Sequence, residues 1–321
     1  MKRILFVIGV LALLLSFPCS ANVSFQITGG LDSNPTLRSR IEYQVSALLT
    51  AVNRAAESNT AVNFSGIDID DMASFTIAQT WENARFRTYD DEICTEALRL
   101  VYNGRLKGYE VRKIEVEMMP VDDTYKGNKH QEICLQFNLS GKITDMNFSM
   151  GDQYYAQLFR EGEELKDLDR RLQIVHFVEQ FRTAYNTKDI NFLDAIFSDE
   201  ALIITGKVIQ RVNSDVRLRP EIQYTKQSKQ QYIANLRRVF ARNAYLNILF
   251  DDIKIMRHGS KPNFYGVTLI QHWNSSTYSD KGILFLVWDC SNEEEPKIHV
   301  RTWQPMETPE NEVFTLSDIK L

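Results

Sequence analysis

From residue 35 the chain places Leu37, Ile41, Val45, Leu48, Leu49 and Val52 on one side of a 3.6-residue period, with Asn34-Pro35 as the start signal. This pattern predicts a long amphipathic helix. "DIDDMASFTIAQTWENARF" and "DDEICTEALRLVYNG" read as two more helices, the second closed by Gly104. From Tyr109 the period falls to two. Ile114, Val116 and Met118 alternate with Glu115 and Glu117, then Ile133, Leu135, Phe137 and Leu139 alternate with Cys134, Gln136 and Asn138. One more strand follows the turn at Ser140-Gly141.

The same order begins again after the charged run 160–171, whose segment "EGEELKDLD" reads as a solvated helix face. Ile174, Phe177, Val178, Phe181 and Tyr185 repeat at helical spacing, Asp189 caps a short helix "INFLDAIF", and "ALIITGKVIQ" follows as a strand. Ser228 and Gln231 form a capping box for a helix presenting Tyr232, Ile233, Leu236, Val239 and Phe240 on one side. Four strands finish the half: "YLNILFDDIKIM", "GVTLIQHW", "GILFLVWD" and "IHVRTWQ". Helices first and sheet last in both halves is an α+β pattern, not an alternating βαβ one. Two tandem domains are expected, 22–155 and 156–321, each with N-terminal helices packed on a curved antiparallel sheet.

Composition adds the setting. The 321 residues are 44% hydrophobic and 25% charged, which is the balance of a globular chain. Residues 1–21 combine Lys2 and Arg3, an apolar run from Ile4 to Leu15 and a small-residue end, the anatomy of a secretory signal peptide. Cleavage after Ala21 is favoured over lipidation at Cys19, because Pro18 suits a lipobox poorly. No later segment is apolar enough to span a bilayer, so a periplasmic or secreted protein is expected. Removing Lys2 and Arg3 shifts the formal charge from −5 to −7, 35 basic against 42 acidic residues. A nucleic-acid partner, which requires a basic face, is therefore not expected. Cys94, Cys134 and Cys290 have no metal-ligand spacing, so neither a metal site nor a cofactor is expected, and Cys94 and Cys134 are read as free thiols.

Sequence signatures of mechanism are missing: there is no H-E-x-x-H, G-x-S-x-G, phosphate-binding loop or calcium loop. Asp68, Asp70 and Asp71 read as helix N-terminal carboxylates. The stretch "VEQFRTAYNTKDINFLDAIFSDEALIITG" (178–206), together with the closing strands from Val267 to Gln304, resembles the NTF2-like superfamily, the cone-shaped α+β fold of ketosteroid isomerase and SnoaL-type cyclases. It is similar there to exported bacterial proteins without an assigned function. The first half, through "WENARF" and "LSGKITDMNFSM", is read as a possible diverged copy. The resemblance implies a curved sheet around helices with a pocket at the open end of the cone. It implies no particular activity.

Three of the four tryptophans and two of the five histidines crowd the last strands. Simple alternation puts Val267, Leu269, Gln271 and Trp273 on a core face with Ile283, Phe285, Val287 and Asp289, and with Ile298, Val300, Thr302 and Gln304. Gln271, Trp273 and Asp289 are then the candidate pocket residues. Asp289 is the single candidate base of an alternative isomerase or dehydratase reading, in which an apolar site raises a carboxylate pKa. The other face receives His272, Trp288, His299, Arg301 and Trp303, a hot-spot composition read as an interdomain or homodimer interface. The resemblance adds that such domains often pair through the outer face of this sheet. The expected role is binding of a protein partner or small ligand, with no catalytic residue assigned. N-terminal sequencing of the exported protein should begin at Asn22; a chain retaining Met1, or blocked at Cys19, would refute the assignment of the leader.

Overall fold

A computed structural model of the protein describes residues 22–102, 104–151, 165–210, 221–292 and 294–319. The expected leader, Cys19 and the expected join near residue 155 lie outside these residues. The first half forms β1 (Ser24–Gly29), α1 (Pro35–Ser58), α2 (Asp71–Asn83), β2 (Ala84–Thr88), β3 (Glu92–Tyr102), β4 (Arg105–Pro120), β5 (His130–Asn138) and β6 (Ile143–Phe148). The strand order is β1-β3-β4-β5-β6, with β2 also paired to β4. α1 starts where its signal stands, the Asn34 side chain accepting from the Leu37 backbone N–H beside Pro35. Asp70 caps α2 in the same way, and Asp68 pairs with Arg40 at 2.6 Å, so the acidic cluster is a helix start. Ile41, Val45 and Leu49 of α1 and Ile77 and Trp81 of α2 bury one sheet face with Val111, Leu135 and Phe137.

Two strands replace expected features. "DDEICTEALRLVYNG" is strand β3, not a helix: Ile93, Thr95 and Ala97 face inward while Glu92, Cys94 and Glu96 face out. Its Glu, Ala and Leu content favours helix, but pairing with β4 and β1 decides the conformation. Gly104, at φ +69, makes the β3–β4 turn instead of capping a helix. β1, for which no element was expected, carries Phe25 and Ile27 into the core. Cys94 is exposed and Cys134 buried, both as free thiols, and Cys290 is buried.

The second half forms α3 (Leu165–Asn186), α4 (Ile190–Ile196), β7 (Phe197–Gln210), β8 (Glu221–Ser228), α5 (Lys229–Arg242), β9 (Leu246–Arg257), β10 (Phe264–Ser275), β11 (Ser279–Asp289) and β12 (Lys297–Pro305). The order is β8-β7-β12-β11-β10-β9. The capping box at Ser228 and Gln231 is present, and Asp189 caps α4. β8 has too few apolar residues for a strand signal in the sequence. Both sheets depart from the purely antiparallel expectation by one parallel pair each, β1 with β3 and β7 with β12.

α3 is the element both halves share. Val178, Phe181 and Tyr185 face the second core, yet His176, Glu179, Arg182 and Thr183 are equally buried, against the back of the first sheet. There Arg112 meets Glu179 through two bonds, Nη1 to Oε2 at 3.0 Å and Nη2 to Oε1 at 2.5 Å, and Glu110 at 2.7 Å. A bulge in β4 aims it: Arg112 and Lys113, the latter at φ 62, together face Cys134 across the ladder. Arg182 ties three segments, donating to the carbonyls of Ile248 and Ser149 and to Gln131 Oε1 at 2.8–3.0 Å. Gln136 Nε2 stands 2.8 Å from Glu110 Oε2 and 2.7 Å from the His176 ring.

Breaking the central pair leaves a buried charge short of a partner. Glu179→Ala should cost roughly 3–5 kcal/mol by chemical denaturation, whereas a loss under 1 kcal/mol would show that the seam is wet. The seam also titrates. Burial works to raise Glu110, but Arg112 and His176 overcome it and hold the carboxyl down to about 2. Burial works to lower His176, and its hydrogen bond and attraction to Glu110 raise it instead. The depressed carboxylate contributes stability present above its ordinary 4.5 and lost as pH falls towards 2. The raised imidazole contributes stability present below its ordinary 6.5 and lost as pH climbs through the higher folded value. Thermal stability should therefore peak between about pH 4.5 and 6.5, and His176→Gln should flatten the alkaline side; an unchanged alkaline limb would refute this.

Candidate functional site

The faces of the second sheet follow from one loop. Asn274 pairs with Ser279, so residues 275–278 make a four-residue turn and odd positions of β10 oppose even positions of β11. Val267 meets Leu286, Leu269 meets Leu284 and Gln271 meets Gly282. On β12, Arg301 lies opposite Leu286 and Trp303 opposite Leu284. A register shift next to Val287 and Trp288 then brings Ile298 inward and turns His299 out.

This corrects the alternation expected for β11 and β12. The helix-covered face carries Gln271 and Trp273 of β10 as expected, but with Leu284, Leu286, Trp288, Arg301 and Trp303. Asp289 falls on the opposite, outer face, so it is not beside Gln271 and Trp273. Its Oδ2 lies 3.5 Å from His299 Nε2. His272 is also outward, its Nε2 2.8 Å from Asp251 Oδ2, close enough for an ion pair though off the line of a good hydrogen bond. Both histidines thus have a carboxylate neighbour that alternation alone did not reveal. Of the five residues expected at an interface, only His272 and His299 are on the outer face. Part of that face is covered by residues 306–319: Gln304 accepts from the Phe314 N–H and donates to the Glu312 carbonyl, and Leu316 packs with Phe285, Val287 and Val300. Gly266 makes room for this strap, since a Cβ there would stand 2.6 Å from Leu316 Cγ.

The inner face encloses a polar nest within aromatic walls. Arg301, 4% exposed, lies over the Tyr232 ring at 5.1 Å beside Tyr185, with Gln271 Oε1 at 3.5 Å from Nη2. The hydroxyls of Tyr185 and Tyr232 are 2.5 Å apart. Burial, followed by Tyr232, pushes the Tyr185 phenol well above its ordinary value, so it stays a neutral donor. Burial opposes the Arg301 charge, but the two tyrosines outweigh it and raise its pKa. Trp273, half-buried, meets Tyr185 edge-on at 5.9 Å, and Trp303 lies flat over Gly282, where a Cβ would stand 2.6 Å from the indole. Three elements converge: Tyr185 from α3, Tyr232 from α5, and Arg301 and Gln271 from the sheet. The nest offers a cation, two hydroxyls and an amide, which suits hydrogen bonding to a polar or charged group. Arg301, Tyr185 and Tyr232 were not singled out as pocket residues. Two tyrosines on buried helical stripes, each needing a partner for its hydroxyl, were the signal present in the sequence.

No protein-family model and no curated protein matches the chain. Among solved structures, it is similar to Bd1075 of Bdellovibrio bacteriovorus at 14% identity and TM-score 0.34, over 51% of this chain and less than half, 47%, of that one. It is similar to an NTF2-like protein of Cytophaga hutchinsonii at 14% identity and TM-score 0.32, over 42% of this chain and 98% of that one. It is also similar to an NTF2-like protein of unknown function in nutrient uptake from Rhodospirillum rubrum, at 12% identity and TM-score 0.31, over 41% of this chain and 98% of that one. Several of the solved structures to which the chain is similar are described as NTF2-like proteins.

Proposed function

We propose that the protein binds a small ligand in the helix-lined cone of its second domain and acts by binding, not by catalysis. The observation that carries this reading is the nest of Arg301, Gln271, Tyr185 and Tyr232 inside an otherwise apolar face. Buried polar groups are retained where they serve a partner or a ligand, because their desolvation is costly. The base of the alternative isomerase or dehydratase reading, Asp289, is on the other side of the sheet, so that reading lacks its proton acceptor in the cone. The first domain, docked on the back of α3, holds the wall that presents Tyr185. Residues 1–21 support export to the periplasm or medium, where a ligand would be met.

Native mass spectrometry of the mature protein, purified without denaturation from the cells that make it, tests the binding reading. A stoichiometric added mass that is lost on unfolding and refolding is expected. A mass equal to the bare polypeptide, with no small molecule extracted by organic solvent, would count against a cone ligand.

A further inference from the structure

Among the described residues the charge of Arg301 has no carboxylate to answer it. Among the described residues no Asp or Glu lies within ion-pair distance, and its electrostatic partners are the two tyrosines. Its Nε is buried and makes no hydrogen bond. Elsewhere in this chain a buried guanidinium receives a different environment: Arg112 is clamped between Glu110 and Glu179. A buried cation lacking a counter-charge is strongly unfavourable unless hydrogen bonds or a partner compensate, and here the bonds are few and one is long. Around it the surfaces are flat and aromatic: Tyr232 beneath the guanidinium, Trp303 on the adjacent row of the sheet, and Trp273 on the row beyond Gln271, whose amide oxygen stands 3.5 Å from the guanidinium.

We propose that Arg301 anchors an anionic ligand in the cone, a small carboxylate with a flat apolar body, whose charge meets the guanidinium and whose body lies against Trp273 and Trp303. The assignment rests on the cone being a ligand site and adds the class of ligand. A guanidinium has five N–H donors in a planar fork that matches a carboxylate, and Tyr185 and Gln271 stand beside it to complete the set. The protein's net charge of −5 provides no general attraction for anions, so selectivity for one must arise locally at this group.

Benzoate and its neutral isostere benzamide, titrated into the mature full-length protein, separate the charge from the shape. Benzoate should quench the tryptophan fluorescence saturably and raise the melting temperature, with an affinity at least about tenfold above that of benzamide, which is 1.4 kcal/mol. Arg301→Gln should remove this preference and leave the weaker benzamide response. Equal action of the two probes, action of neither, or an undiminished benzoate preference in Arg301→Gln would each overturn the proposal. Benzamide binding alone would overturn the anion assignment while leaving the cone a ligand site. Should Arg301→Gln not fold, the comparison of the two probes on the native protein decides by itself.

Discussion

The architecture depends on a buried ion pair, Arg112 of β4 with Glu179 of α3. Both side chains are almost wholly withdrawn from water, and removing two charges from solvent is expensive enough to cancel most of their attraction. What such a pair provides is geometry. Two parallel bonds fix the roll of α3 against the first sheet, and Arg182, one turn further on, repeats the constraint through backbone carbonyls of both halves. A helix held this way on its polar side has no freedom left on its apolar side. The direction of Phe181 and Tyr185, and with it one wall of the cone, is therefore set from the first domain.

The second sheet divides its chemistry between two faces. Inside are a cation, phenols and an amide among aromatic rings; outside are carboxylates beside histidines, partly under the strap of residues 306–319. The outer pairs are open to solvent, while the inner nest is withdrawn from water. The two faces of one sheet thus present different chemistry to the helices and to the strap.

Much of the fold was legible in the chain because its helices carry explicit punctuation. Asn34-Pro35, Asp70, Asp189 and Ser228 with Gln231 each mark a start that the structure keeps. The readings that failed did so where tertiary pairing outweighs local preference. β3 has the composition of a helix and is held as a strand from both sides, and β8 has no apolar face to show. The candidate site was harder, because side-chain direction in a sheet depends on parity. A four-residue turn between β10 and β11 instead of an odd one exchanged Trp288 with Val287, and Arg301 with Thr302, between faces. Gln271 and Trp273 were placed correctly since β10 was the reference strand. The polar side of α3 drew no reading, because nothing local distinguishes a helix that meets water from one that meets another domain's Arg and Gln.

The bulge at Arg112 and Lys113 also has a consequence in time. Arg112 and Glu179 are separated by 67 positions, so a ribosome adding 5–20 residues per second delivers the partner roughly three to thirteen seconds later. During that interval Arg112, Glu110 and Gln136 face water, where charged groups are comfortable, and the strip does not offer an apolar surface to a neighbouring nascent chain. A seam built of ions instead of leucines lets the first half wait, soluble and half-finished, for the helix that completes it.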